Sequence, residues 1–198
     1  MELQGLEKRF CSSRLWRIAT QRAVIPWIVS FTDNELPANA DVLEVGSGGG
    51  FNAETLLRRF ANWRLTATDY DPEMVELAKR RLARFDDRVR VDQADATALP
   101  FAEASFDVVL SIGVLHHVGA WEKALSEAAR VLRPGGVFVA VDLLDGFFMG
   151  PLRRAFPPVR TYTSMQVLGE LPRAGFVRYR LHGGRLWYRL LGQTAPRT

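Results

Sequence analysis

Four glycines fall within five positions in the stretch DVLEVGSGGGFN, Asp41 to Asn52: Gly46, Gly48, Gly49 and Gly50. They follow a short apolar run and precede a helix-like pattern. Glycines placed there do one of two things. They turn the chain tightly from strand to helix, or they let backbone amides approach a ligand more closely than a Cβ would allow. Asp69 comes 23 residues after Gly46. A carboxylate at that remove, one helix and one strand later, is placed to accept hydrogen bonds from both hydroxyls of a ribose, or simply to cap the next helix. His116 and His117 titrate near neutrality and are the candidates for a general base. A histidine in such a place also serves to shape a pocket or cap a helix. Asp142 and Tyr162 are further candidates. No Cys/His cluster suggests a metal.

These residues need elements to hold them. Val42, Leu43 and Val45 read as a short buried strand, and Ala53, Leu56, Leu57 and Phe60 recur at helical spacing. WRLTATD reads as a second strand. Asp71 followed by Pro72 is a helix start. RVRVDQAD and FDVVLSI read as the third and fourth strands. A helical face from Trp121 to Leu132 ends at RPGG, and VFVAVD is the fifth strand. Strands alternating with helices predict an α/β fold, a parallel sheet covered on both sides. Its ligands lie beyond the carboxyl ends of the strands. The glycines, Asp69, Asp95, the Ser111–His117 stretch and Asp142 all fall at such ends. After position 145 the pattern changes. A helix near Ser164–Ala174 leads to strands Phe176–Leu181 and Arg185–Leu190, joined through HGG as an antiparallel pair. Residues 13–31 predict one or two short helices with a break at Pro26.

The dinucleotide fingerprint G-x-G-x-x-G does not fit, because its third glycine position is Phe51. The segment reads E-x-G-x-G-x-G instead, through Glu44, Gly46, Gly48 and Gly50. It closely resembles motif I of class I S-adenosylmethionine-dependent methyltransferases. The resemblance extends from about Asp41 to Asp142 through ATDYDPEMVELAKRR, DQADATALPF, FDVVLSIGVLHHV and ARVLRPGGVFVAVD, in the family's order. It implies a Rossmann-like, doubly wound sheet of seven strands, mostly parallel, with one antiparallel strand near the C-terminus. It implies S-adenosyl-L-methionine as cofactor, held by Glu44, Gly46, Ser47, Gly48, Gly50, Asp69, Tyr70, Asp95, Ala96 and Ser111. In that set Glu44 would help hold the methionine amino group, Asp69 the ribose and Tyr70 the adenine flank. Asp95 would meet the exocyclic amine and the Ala96 amide a ring nitrogen. The stretch between Ala96 and Phe106 is too short for the family's usual helix, so a loop is expected there.

The chain has 198 residues, 47% hydrophobic and 24% charged, as expected of a soluble globular protein. Cys11 is the only cysteine, so no intramolecular disulfide can form and a reducing, cytoplasmic setting is expected. The apolar run AVIPWIVSF is too short to span a membrane, and no secretory signal is evident. The net charge of +4 is uneven: +1 over residues 1–40, −5 over 41–145 and +8 over 146–198. A solvated face explains the basic tail, and so does a surface for anionic partners, a membrane surface included. Residues 1–40 are expected to form a helical cap on a domain spanning 41–198, with 143–165 as a lid. These two parts mix aromatics with arginine and would bind the acceptor, a small molecule of hydrophobic or anionic character. Arg153, Arg154 and Arg160 lie nearest the cleft rim by chain position and are expected to contact it. SIGV stands where nucleobase amino-methylating enzymes carry their base-flipping motif, which argues against a nucleic acid acceptor. Two alternatives stay open: a module that binds the cofactor without catalysis, and a nicotinamide dinucleotide enzyme.

Overall fold

Apolar residues on both sides of the central strands dictate where the sheet sits. Val42 and Leu43 on β1 (Asn39–Val45) and Val108 and Val109 on β4 (Phe106–Ile112) have no exposed surface. Strands buried on both faces belong in a parallel sheet with helices on each side. The computed structural model has that form, and it describes residues 25–32, 35–143, 162–183 and 187–196. The remaining strands are β2 (Asn62–Asp69), β3 (Val89–Gln93), β5 (Leu132–Leu143), β6 (Phe176–Gly183) and β7 (Trp187–Thr194). Their order is β3-β2-β1-β4-β5-β7-β6. Val42 pairs with Leu65 of β2 on one side and Val108 of β4 on the other, both parallel. Only β7 runs antiparallel, inserted between β5 and β6 with Ala140 opposite Leu190.

One face is covered by α1 (Ile25–Thr32), α2 (Phe51–Arg59) and α3 (Pro72–Leu82). The other is covered by α4 (Trp121–Val131) and α5 (Ser164–Ala174). Local chemistry starts these helices. The Asp71 carboxylate accepts from the Glu73 amide at 2.8 Å ahead of Pro72. Thr163 and Gln166 cap α5 reciprocally, the Gln166 side chain accepting from the Thr163 amide at 2.8 Å. The strand order turns back between β1 and β4, so the crevice opens at their carboxyl ends. At the opposite end Arg133 bridges Asp41 at 2.9 Å and Asp107 at 2.7 Å.

Pro26 sits in the first described turn of α1, and the residues ahead of Ile25, which the expected break concerns, lie outside the described residues. Two details differ from the sequence reading. RPGG does not merely end α4. Leu132 already starts β5, with an irregular register against β4 between Phe106 and Val108. The third strand stops at Gln93 rather than running to Asp95. The crossover before β4 is the expected loop, and α4 holds it. Glu127 accepts from the Leu99 amide at 2.7 Å, and Arg130 donates to the Phe101 and Leu99 carbonyls at 2.8 and 3.0 Å. Most of the N-terminal cap, the central part of the 143–165 lid, and Arg153, Arg154 and Arg160 lie outside the described residues. Two arginines of the basic tail, Arg180 and Arg189, stand 5.0 and 4.7 Å over the Phe31 ring. Arg180 also pairs with Glu35 at 2.9 Å. These two cations pack α1 onto the terminal strand pair.

Candidate functional site

A cleft of about 360 Å³ opens at the carboxyl ends of β1, β2 and β4. Of the residues expected to hold a nucleoside, Gly46, Ser47, Gly48, Asp69, Tyr70, Asp95 and Ala96 line it, and so does His117. Glu44, Gly50, Ser111 and His116 are not on its wall. The glycines divide their work. A Cβ on Gly46 (φ 66) would stand 2.5 Å from a Val114 methyl, so this glycine lets β1 meet the loop after β4. A Cβ on Gly50 (φ 78) would press on Ala78 and Leu82, so this one seats α3. In front of Gly48 (φ 52) there is nothing within 4 Å. That open space is what a ligand-binding glycine requires.

Asp69 closes β2 and ties the loop. Its Oδ2 accepts from the Gly48 amide at 2.7 Å and its Oδ1 from the Asp71 amide at 2.9 Å. Burial, aided by the Asp71 charge, raises its pKa even against the amides of Asp71, Gly48 and Tyr70. Glu44 lies behind the loop with no exposed surface, and neither carboxylate oxygen makes a well-formed hydrogen bond. Burial, aided by the Asp69 charge and opposed by Asn52 and the Ala53 amide, pushes it up to about 8. Asp95 sits at the rim, its Oδ1 accepting from the Thr97 amide and hydroxyl at 2.7 and 2.8 Å. The amide bond is the main reason its pKa is lowered. Tyr70 is 48% exposed at the edge. The Ser111 hydroxyl is buried behind the wall without a partner.

The far wall is Ile112 to Val114 and His117 to Ala120. His117 faces the cleft, and burial, with its neighbour His116, pushes its pKa down to about 4 although Asp142 opposes them. His116 is buried, with Nδ1 2.5 Å from Asp142 Oδ1. Tyr162 and Tyr188 are buried nearby. Burial and then the Asp142 charge raise both phenols.

Sequence reasoning named Gly113 and Val114 only as part of the Ser111–His117 stretch and missed Phe51, Asn52 and Val118 to Ala120, all of which line the cleft. Gly113 carried a usable signal, a glycine at a strand end, and its φ is 69. It also missed Arg81, whose Nε donates to the Gly49 carbonyl at 2.7 Å while its guanidinium stands 3.4 Å over Phe51. Read along the chain, Arg81 is one basic residue among several at the end of α3.

The cleft suits S-adenosylmethionine. Gly48 offers an unfilled cradle, Asp69 an acceptor for hydroxyls, and Glu44 an orphaned buried carboxylate that a cation beside it would ionise. A model of the methyltransferase domain family matches residues 43–140. The demethylmenaquinone methyltransferase of Clavibacter sepedonicus is 39% identical over 131 residues, covering 66% of this chain and 48% of that protein. The malonyl-[acyl-carrier protein] O-methyltransferase of Geobacter sulfurreducens is 32% identical over 170 residues, 80% of this chain and 63% of that protein. The chain thus spans between about half and two thirds of the length of these two relatives. An S-adenosylmethionine-dependent methyltransferase structure from Aquifex aeolicus superposes with a TM-score of 0.78 at 19% identity, covering 98% of this chain and all of that one. The strand order, the glycine loop and the matched segment together place this chain among the class I S-adenosylmethionine-dependent methyltransferases.

Proposed function

We propose that the protein transfers a methyl group from S-adenosylmethionine to a small-molecule acceptor. The observation that carries this reading is the open space before Gly48 beside the Asp69 carboxylate, which fixes the loop by accepting from the Gly48 amide. Bound there, S-adenosylmethionine supplies a sulfonium methyl that is already activated for in-line displacement. The chain's own task is then alignment, which alone supports effective molarities of about 10⁵–10⁸ M. Asp69 takes the ribose hydroxyls, and Tyr70 and Asp95 with the Ala96 amide take the adenine. Glu44, behind Asn52, answers the methionine ammonium by giving up its proton. His117 stands at the far wall, neutral at physiological pH. For an acceptor that must lose a proton, its ring nitrogen is the group to take it. His116 is turned to Asp142 and is not offered to the cleft.

The two relatives are named for demethylmenaquinone and for malonyl-[acyl-carrier protein], so relatives with this domain serve different acceptors. An acceptor of hydrophobic or anionic character is in keeping with both. Among the described residues no helix is long and apolar enough to cross a membrane. Isothermal titration with S-adenosylhomocysteine and with NADH tests the cofactor. Binding of NADH with no response to S-adenosylhomocysteine defeats the reading. Turnover of labelled S-adenosylmethionine against a panel of quinones, fatty acids and aromatic acids tests the transfer. Binding without transfer to any of them leaves a cofactor-binding module.

A further inference from the structure

Only three residues, Leu115 to His117, shape the part of the far wall that presents an imidazole to the cleft. They form a single tight helical turn, closed by the His117 amide on Val114 and the Val118 amide on Leu115, both at 2.9 Å. One such turn has little stability of its own. It is held from below by Asp142 at the end of β5, which has no exposed surface. Oδ2 accepts from the Leu115 amide at 2.6 Å and lies 3.4 Å from the His116 amide. Oδ1 lies 2.5 Å from His116 Nδ1. A carboxylate can only accept in that contact, so the proton sits on His116 Nδ1. The His116 ring in turn lies against the His117 ring, centroids 3.8 Å apart at 43°. Among the described residues, Asp142 and His116 act on the His117 imidazole, and the buried Tyr162 and Tyr188 feel the same Asp142 charge.

We propose that Asp142, acting through His116 and the Leu115 amide, positions the His117 imidazole at the cleft, so that Asp142 and His116 are positioning residues of the transfer. This inference rests on the methyl-transfer reading. Two adjacent histidines look equivalent in sequence, but the carboxylate separates them. One is consumed as a strut and the other becomes the group that an acceptor meets. When His117 takes a proton from the acceptor, the Asp142 charge lies on the side that favours the resulting cation. The same residue therefore fixes the ring and supports its charged form. A purely structural Asp142 would hold the turn without affecting how His117 responds to a ligand.

The test uses imidazole 15N–1H spectra of the whole labelled chain, with and without saturating S-adenosylhomocysteine, alongside calorimetry. In the wild type, ligand should shift the His117 ring signals and leave the strongly hydrogen-bonded His116 Nδ1 proton in place. Asp142→Asn should lose that downfield proton and the ligand-induced shift at His117, while ligand affinity stays within about threefold of wild type. His116→Asn keeps a donor where Nδ1 stood and should retain the His117 response; His116→Phe should lose it. This second pair carries the test if Asp142→Asn fails to fold. A His117 shift of wild-type size in either Asp142→Asn or His116→Phe, with ligand bound, overturns the proposal and leaves methyl transfer standing. If the wild type binds no S-adenosylhomocysteine, the methyl-transfer reading falls. The ligand-free spectra then still show whether the His117 tautomer and line widths depend on Asp142, and unchanged ones overturn the positioning as well.

Discussion

The near wall of the cleft is made of backbone and the far wall of side chains. Along β1 and β2, the cleft is lined by Gly46, Gly48 and Asp69, whose carboxylate takes the Gly48 amide and ties the loop. Beyond β4, the wall depends on Asp142 from β5, which holds His116. The buried Tyr162, just ahead of α5, and Tyr188 of β7 share the field of that carboxylate. Under the proposed function the near wall takes the ligand shared by many enzymes, through a glycine loop and one carboxylate. The far wall can be rebuilt by changing single side chains, which suits the part that meets a variable acceptor.

The sharpest way to break this division is within the glycine loop. Gly46→Ala puts a Cβ 2.5 Å from a Val114 methyl at φ 66. Overpacking and left-handed strain together should cost about 3 kcal/mol of stability. Gly48→Ala bears only the strain, about 1 kcal/mol. Denaturant unfolding of both variants checks the difference. Equal losses would mean that the two walls do not meet through Gly46.

Asp69→Asn comes next. It leaves the loop two oxygen- or nitrogen-bearing positions but removes the charge that the Gly48 and Asp71 amides and any ribose hydroxyl meet. Loss of about 1.5–3 kcal/mol, roughly 10- to 100-fold in S-adenosylhomocysteine affinity, is expected by calorimetry. Unchanged affinity would show that Asp69 serves only the loop.

The walls should also titrate in opposite senses. Glu44 rises from its ordinary 4.5 to about 8 in the fold. The folded state therefore binds the extra proton, and stability is fullest below about 4.5 and falls as pH rises towards 8. His117 falls from 6.5 to about 4, so its contribution is fullest above 6.5 and is lost as pH drops towards 4. Unfolding free energies measured across this range should lose the alkaline limb in Glu44→Gln and the acid limb in His117→Gln. A variant whose profile keeps its limb shows that the limb belongs to another group. The smallest effect is expected for Arg81→Lys. It keeps the charge but loses the Nε hydrogen bond to the Gly49 carbonyl and the stacking on Phe51, at about 1 kcal/mol or less. A larger loss would make the brace from α3 as important as Asp69.

The near wall was legible in the sequence because its parts are local. The glycine run, the acid after the next strand and the Asp71–Pro72 cap are each set by a few consecutive residues. Strand–helix alternation gave the parallel sheet and HGG the terminal antiparallel pair, while the seven strands with one inserted antiparallel came from the family resemblance; the observed order has that form. The far wall was less legible because its geometry is tertiary. Nothing in LHH says which histidine faces the cleft until Asp142, 25 residues beyond His117, is folded beneath the pair. Glu44 and Ser111 sit at strand ends in sequence, yet their side chains point behind the wall, which alternation along a fully buried strand does not reveal. The basic tail reads as a solvated face or an anion surface, and nothing along the chain says that its Arg180 and Arg189 pack on Phe31, or that Arg180 pairs with Glu35, some 150 residues away.

The most direct measurement is calorimetric titration of S-adenosylhomocysteine into the wild type and Gly48→Val, with thermal melting of both. The wild type should bind and Gly48→Val should not, because its side chain fills the open space before the loop. The variant should still melt cooperatively, a few degrees lower from its φ of 52. Binding by Gly48→Val at wild-type affinity would mean that the loop is only a turn and that the cofactor does not lie there.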